Sequence, residues 1–223
     1  MFDHSPNRFL YLLITLVAFV TLVPFLEELG YGGMIFNIFL STILLSAAYA
    51  ASESRGYFIL ASILAVPAFV LRWINNFVGN PWLEFVAGVL TVLFLLLVAA
   101  LILSHVLKAE RVSREKIFGA LSVYLIFGVV WSLLYMMEDF LVPGSFRYAE
   151  GVRTDFELVY YSFVTLTTLG YGDIVPVSPS ARALVTLEAL TGQLYLTVLV
   201  ARLVGLQITH SSRRPSAEDQ EKS

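Results

Sequence analysis

Six apolar stretches dominate this sequence, and each is long enough, or nearly long enough, to cross a lipid bilayer. A hydrocarbon core of about 30 Å requires roughly 17–25 helical residues. The stretches span Phe9–Leu26, Met34–Ala51, Tyr57–Ile74, Trp82–Leu107, Ile117–Met137 and Ala183–Ile208. Of the 223 residues, 58% are hydrophobic and only 14% are charged, which is unusual for a water-soluble chain. The sequence therefore predicts an all-α membrane protein with six transmembrane helices.

The distribution of lysine and arginine predicts the orientation of these spans. Positive charges accumulate in short cytoplasmic loops because they resist translocation. With the N-terminus inside, nine of the fourteen basic residues fall on the cytoplasmic side, four fall outside, and Arg202 lies within the last span. Both termini are therefore expected in the cytoplasm, with the protein in a plasma or inner membrane. The first stretch lacks a small-residue cleavage site, so we interpret it as a retained span rather than a signal peptide.

Composition excludes or disfavours several classes of function. The chain has no cysteine, so disulfides, thiolate metal sites and thiol catalysis are excluded. Its net charge is −3 and it has no basic stripe, so nucleic acid is not expected as a partner. The histidines at positions 4, 105 and 210 share no metal-ligand spacing, and no nucleophile and base pair indicates an enzyme. No cofactor is expected.

A short apolar segment between the fifth and sixth spans cannot cross the membrane. It covers residues 155–167 and follows Thr154, which stands at capping-box spacing from Glu157. A helix of this length would extend roughly 20 Å at 1.5 Å per residue. The segment is therefore predicted to enter the membrane and return. The glycine-rich run after it must be buried in protein or line an aqueous cavity.

That run reads Thr167-Thr168-Leu169-Gly170-Tyr171-Gly172-Asp173. It resembles the selectivity filter of the tetrameric potassium-channel superfamily. Glycines at alternate positions permit backbone conformations in which successive carbonyls point the same way. The resemblance implies a homotetramer in membrane lipid, with a filter formed by Thr168, Leu169, Gly170, Tyr171 and Gly172. Permeant K+ would be bound by the carbonyls of the first four of these residues and by the Thr168 hydroxyl.

The resemblance also implies supporting roles around the filter. Thr167 and Asp173 flank it, and Tyr171 is expected to point away from the ion path and brace the filter against the pore helix. Tyr160 and Tyr161 occupy places that tryptophan often holds in the family. Their hydroxyls are expected to donate toward the outer end of the filter.

Two positions depart from the family pattern. Leu169 replaces the commoner valine but keeps its carbonyl, so selectivity is expected to survive. Val164 stands where some relatives carry a carboxylate that binds the filter aspartate, so that pairing is not expected here. The sequence leaves open how such a filter would inactivate.

Three residues of the last span are singled out by charge or spacing. Gly192 lies 19 residues after Asp173, a spacing that resembles the hinge glycine of the family's inner helix; the alternative is close packing against the pore helix. Glu188 lies one helical turn earlier, and ionisable groups inside a membrane indicate function. Three roles are open for Glu188, namely a structural hydrogen bond to the pore-helix region, exposure to the ion path, and proton sensing. Arg202 is expected to extend toward the inner head groups.

These features divide the chain into three parts. Residues 1–110 form a four-helix unit, 111–210 form a pore domain with outer helix, pore helix, filter and inner helix, and 211–223 form a short polar cytoplasmic tail. A voltage sensor requires several basic residues in one span, and Trp82–Leu107 contains none. We therefore predict a potassium-selective channel that is not steeply voltage-gated. The alternatives are a weakly selective cation channel and a non-conducting sensor or interaction subunit.

Overall fold

The computed structural model describes residues 7–26, 32–51, 55–108, 113–148 and 155–211. Within these ranges the chain is mostly helical. In order, its elements are α1 (Arg8–Leu26), α2 (Gly32–Ala50), α3 (Arg55–Val78), α4 (Pro81–Leu107), α5 (Arg114–Leu141), β1 (Phe146–Tyr148), α6 (Asp155–Leu166), β2 (Ile174–Pro176) and α7 (Pro179–Ser211).

Five described helices, α2 to α5 and α7, are long and apolar enough to cross a membrane. The apolar parts described in α1 and α6 are shorter, at Arg8–Leu22 and Phe156–Leu166. The expectation of a helical, multi-pass membrane protein is therefore confirmed. A sixth span at α1 stays a prediction.

The reversal between α3 and α4 follows from three consecutive residues. Gly79 takes a left-handed φ of 63° just after α3, a conformation that glycine adopts without penalty. The Asn80 side chain then caps α4, because it accepts a hydrogen bond from the Trp82 backbone N–H at 3.0 Å. Pro81 occupies the first helical position, where no intrahelical N–H bond is lost. The two spans are thereby joined by a tight, locally encoded turn.

Helix α5 is the centre of the packing, since it contacts α1, α4, α6 and α7. An ion pair adds to the contact with α1, where Arg8 Nε lies 3.3 Å from Glu115 Oε1. In lipid such packing depends on close van der Waals contact and hydrogen bonds between helices. Helices α1 and α4 are thus attached directly to α5.

A two-stranded antiparallel sheet joins the C-terminal end of α5 to the chain just after the glycine-rich run. Phe146 pairs with Pro176, and Tyr148 pairs with Ile174. The all-α prediction missed this element because three-residue strands are too short to show a period-2 pattern. The sheet fixes where the glycine-rich run ends.

Candidate selectivity filter

The last turn of α6 holds the start of the glycine-rich run. Helix α6 has 12 residues, which corresponds to a length of about 18 Å. The backbone N–H groups of Leu169 and Gly170 donate to the Val164 carbonyl oxygen at 2.9 and 3.3 Å, and the Thr168 N–H donates to Thr165 at 2.9 Å. These bonds satisfy carbonyls that have no partner within the helix. The chain therefore reverses at the end of α6.

Every second residue of the run has a left-handed backbone. The φ angle is 60° at Thr168, 56° at Gly170 and 79° at Gly172. Among the described non-glycine residues, only Thr168 has a positive φ, and this conformation is rare for a β-branched side chain. In an extended strand, neighbouring carbonyls point in opposite directions. Left-handed residues at alternate positions reverse every second peptide, so that neighbouring carbonyls can face the same way.

The side chains of the run are largely exposed in the single chain. Leu169 is 56% exposed and Tyr171 is 67% exposed. Tyr171 is therefore largely open on the surface of the single chain, and its bracing role stays a prediction. The Thr167 hydroxyl donates to the Phe163 carbonyl of α6 at 2.7 Å, and the Thr168 hydroxyl donates to the Thr167 carbonyl at 2.6 Å. The start of the run is thus attached to α6.

Asp173 and Tyr160 hold the far end of the run. The Tyr160 hydroxyl donates to Asp173 Oδ2 at 2.7 Å. Asp173 Oδ1 accepts the Ile174 backbone N–H at 3.0 Å. The aspartate therefore has a partner on α6 even though Val164 offers no carboxylate.

The ring of Tyr161 packs against aromatic side chains of α5 and β1. Its ring lies 5.5 Å from that of Tyr135 and 5.6 Å from that of Phe146, between centroids. Successive helical residues point about 100° apart, so Tyr160 and Tyr161 face different directions. Tyr160 is the tyrosine that reaches Asp173, and the expected donation of the Tyr161 hydroxyl toward the filter stays a prediction.

Glu188 lies where three helices meet, and its side chain is fully buried. The Tyr135 hydroxyl of α5 donates to Glu188 Oε2. The Ser162 hydroxyl of α6 lies 2.5 Å from Glu188 Oε1 and 2.8 Å from the Gly128 carbonyl oxygen of α5. These hydrogen bonds link α7 to α5 and α6, which is the arrangement that the structural alternative for Glu188 describes.

Gly192 closely approaches the end of α6. An added Cβ would collide with the Leu166 carbonyl oxygen and lie 3.0 Å from Leu166 Cδ1. The same carbonyl accepts the Tyr124 hydroxyl at 3.2 Å. Helix α7 is continuous through Gly192. The geometry supports the packing alternative for this glycine.

We expect Gly192→Ala to weaken the packing of α7 on α6, because the Leu166 carbonyl cannot move without shifting the end of α6. Overpacking of this kind costs about 1–3 kcal/mol. Gly205→Ala is the matched control on the same helix, since an added Cβ there meets no atom within 4 Å. Thermal unfolding in detergent should show a lower midpoint for Gly192→Ala than for Gly205→Ala. Equal midpoints would remove the packing role and favour a hinge.

Sequence reasoning missed a polar network at the C-terminal end of α5. Glu138 Oε1 accepts hydrogen bonds from the hydroxyls of Ser145 and Ser178, each at 3.2 Å. Asp139 Oδ1 accepts the Ser145 backbone N–H at 3.1 Å. The network connects α5 to the loop before β1 and to the start of α7. Glu138 and Asp139 stand side by side at the end of an apolar span, and buried carboxylates require hydrogen-bond donors. This pair of acids could therefore have predicted the network from the sequence.

Other residues singled out in the sequence lie elsewhere. Arg202 donates a hydrogen bond to the Leu107 carbonyl at the end of α4, so its guanidinium has a protein partner where lipid head groups were expected. The cap residue Thr154, His4 and the tail residues 212–223 lie outside the described residues. Within the described ranges, no group of three or more histidine, aspartate or glutamate side chains could hold a metal ion.

The similarity to a known protein family lies in the part of the chain that contains the glycine-rich run. Residues 119–206 match a protein family described as "Ion channel". The chain is 35% identical over 99 residues to the inward rectifier potassium channel Kirbac3.1 of Paramagnetospirillum magnetotacticum, covering 43% of this chain and 29% of that protein. It is 37% identical over 105 residues to the voltage-gated potassium channel Kch of Escherichia coli, covering 46% and 22% of the two chains. No solved structure matches the chain.

A voltage-gated potassium channel of Aeropyrum pernix is also similar, at 29% identity over 92 residues, with 41% of this chain and 28% of that protein covered. The chain spans about a quarter of the length of the curated relatives it matches. The family and these relatives are channels rather than enzymes, and potassium channels of this kind need no cofactor beyond the permeant ions. The match over residues 119–206 and these relatives therefore support membership of the chain in the pore-loop superfamily of potassium channels.

Proposed function

We propose that the chain is one subunit of a homotetrameric, potassium-selective channel whose filter is Thr168–Gly172. The observation that carries the proposal is the left-handed backbone at every second residue of this segment. Such a backbone lets closely spaced carbonyl oxygens replace the hydration shell of a K+ ion. The Thr168 hydroxyl would complete the innermost ion site.

Assembly of four chains would cover surfaces that one chain leaves open. One chain supplies a single line of carbonyls, whereas an ion in a filter needs oxygens on all sides, which fourfold symmetry provides. Only 17% of the apolar span of α7 is buried within the chain, compared with 56% in α5. Irregular backbone at membrane depth must also be sheltered by protein. The exposed filter run and the exposed face of α7 therefore support a pore on a symmetry axis.

The mass of the purified protein in nanodiscs, measured together with potassium flux in liposomes, tests this proposal. We expect four copies per particle and a K+ flux that barium blocks, with protein-free liposomes as the control. A monomer or dimer that conducts would contradict the tetramer. A tetramer without flux would support the non-conducting alternative.

We also propose six spans, α1 to α5 and α7, with both termini in the cytoplasm and α6 as a re-entrant pore helix. The excess of basic residues on one side supports this orientation. The chain has no cysteine, so single cysteines can report sidedness. An impermeant maleimide added outside should label Phe77→Cys but not Arg114→Cys. The reverse pattern would invert the topology.

The first four helices are proposed not to form a steep voltage sensor. Helix α4 contains no lysine or arginine. Arg72 of α3 is buried, and its guanidinium donates to Asn37 Oδ1 of α2 at 3.2 Å. One charge crossing 100 mV is worth only about 2.3 kcal/mol, so a sensor combines about 3–4 charges per subunit. Bilayer recordings should show a shallow change of open probability with voltage; an effective charge near that of sensor-bearing channels would refute this expectation.

A further inference from the structure

A cavity of about 300 Å³ lies between the ends of α1, α2, α3 and α4. The lining residues are of two kinds, apolar side chains that form a wall and polar side chains that form a rim. The wall includes Phe9, Leu101 and Ile102, and the rim includes Tyr57, His105 and Lys108. None of its lining residues, all within the described part of the chain, is acidic. The cavity therefore combines an apolar interior with a rim that is neutral to positive.

The position of the cavity matches the level of lipid head groups. It opens where α2 ends and α3 begins, which is the cytoplasmic side in the proposed orientation. Lys108 is exposed at the C-terminal end of α4 and lines the cavity. An exposed lysine above an apolar wall is complementary to a negatively charged amphiphile.

We propose that this cavity binds the head group of an anionic phospholipid of the inner leaflet. The phosphate would lie near Lys108 and His105, the Tyr57 hydroxyl would donate to a phosphate oxygen, and the first acyl carbons would contact Phe9 and Leu101. A basic residue near an anionic membrane surface contributes about fivefold in affinity. A zwitterionic lipid carries no net negative charge, so it gains little from this rim.

The same end of α4 also contacts the inner helix of the proposed pore. Arg202 of α7 donates to the Leu107 carbonyl, and Leu107 immediately precedes Lys108. A head group held by Lys108 would therefore fix the helix end to which α7 is attached. The bound lipid is proposed to bias the gate through this contact, a step that rests on the proposed channel function.

A binding experiment that needs no conduction tests the site. The full chain is reconstituted in phosphatidylcholine vesicles with increasing phosphatidylglycerol, and its thermal unfolding midpoint is measured. We expect phosphatidylglycerol to raise the midpoint, because a ligand that binds only the folded state stabilises it. Lys108→Gln should raise by about fivefold the phosphatidylglycerol concentration that gives half of the full midpoint shift. Arg114→Gln, which removes one positive charge from the start of α5, should leave it unchanged.

Three results would overturn the site. These are equal midpoints in the two lipids, equal shifts for Lys108→Gln and Arg114→Gln, and loss of the phosphatidylglycerol effect when free inorganic phosphate is added. The first result means no preference for anionic lipid, and the second means a non-specific surface attraction. The third means that the site takes phosphate rather than lipid.

A flux experiment on the same vesicles tests the link to the gate. Phosphatidylglycerol should change K+ flux through the parent protein, and Arg202→Gln should remove this dependence while retaining the midpoint shift. Flux that does not respond to phosphatidylglycerol would overturn the link and leave the channel intact. A midpoint shift without any flux would overturn the channel proposal and leave the lipid site intact.

Discussion

Replacing Gly170 with alanine is expected to abolish potassium-selective conduction while the tetramer and its membrane insertion persist. Gly170 has a φ of 56°, where a Cβ costs roughly 1–2 kcal/mol. An added Cβ meets no atom within 4 Å in the chain, so the effect arises from backbone strain rather than collision. In a tetramer the strain occurs four times around one ion site, which amounts to about 4–8 kcal/mol. The reversal potential in mixed sodium and potassium measures the loss.

Gly79→Ala is the matched control for this substitution. Gly79 has a φ of 63° and an equally open surrounding, but it lies in the turn between α3 and α4. It should incur similar strain and keep the selectivity of the parent. Thr168→Ala should act more mildly than Gly170→Ala, because it removes a hydroxyl and keeps the carbonyl. Selectivity like that of the parent in Gly170→Ala, or equal losses in Gly170→Ala and Gly79→Ala, would contradict the filter assignment.

Glu188→Ala is expected to destabilise the contact between α5, α6 and α7 by about 1–3 kcal/mol, since it leaves the Tyr135 hydroxyl buried without its acceptor, while the Ser162 hydroxyl keeps the Gly128 carbonyl oxygen as acceptor. Each of those hydroxyls contacts Glu188 from a different helix. The expected result is a lower unfolding midpoint and a reduced potassium flux per tetramer. Both quantities can be measured on the same purified preparation.

Two further variants separate the alternatives for Glu188. Glu188→Gln keeps the shape of the side chain, and its amide can accept from the Tyr135 hydroxyl and donate to the Ser162 hydroxyl, whose proton can go to the Gly128 carbonyl oxygen. The structural role therefore predicts near-normal stability and conductance. Thr186→Ala is a control on the same helix, because that exposed hydroxyl bonds only to the Arg182 carbonyl of its own helix. A conductance change in Glu188→Gln as large as in Glu188→Ala would indicate exposure to the ion path. Loss of a pH response in Glu188→Gln alone would indicate proton sensing.

The membrane spans were the part of the fold most accessible from sequence, because length and hydropathy suffice to find them. Their ends were less accessible. Helix α5 continues to Leu141 and α7 begins at Pro179, since polar residues extend both helices beyond their apolar parts. The Glu138 and Asp139 network at the end of α5 lies in that extension. Hydropathy indicates which part of a helix lies in lipid, but it does not indicate the residue at which the backbone hydrogen bonds of the helix end.

The backbone conformation of residues 168–172 was predicted in part. Glycine spacing indicated left-handed residues at Gly170 and Gly172, but nothing in the sequence indicated the same conformation at Thr168, because a β-branched residue disfavours it. The bonds from the run back to Val164 accompany that conformation. Local context therefore overrides the intrinsic preference of the threonine.

The partners of Glu188 could not be predicted from one sequence. Tyr135, Ser162 and Glu188 lie on three helices that are far apart along the chain. Their contact depends on which helix faces meet, and no periodic pattern encodes that choice. The cost of an isolated carboxyl in a membrane predicted that partners exist without identifying them.

The reversal potential of the purified parent protein in a planar bilayer tests most directly whether Thr168–Gly172 forms a potassium filter. The membrane should separate a mixed potassium and sodium solution from one in which most potassium is replaced by sodium. A potassium filter predicts a reversal potential close to the potassium equilibrium potential, with current blocked by barium. A reversal potential near zero under this gradient would contradict the proposal.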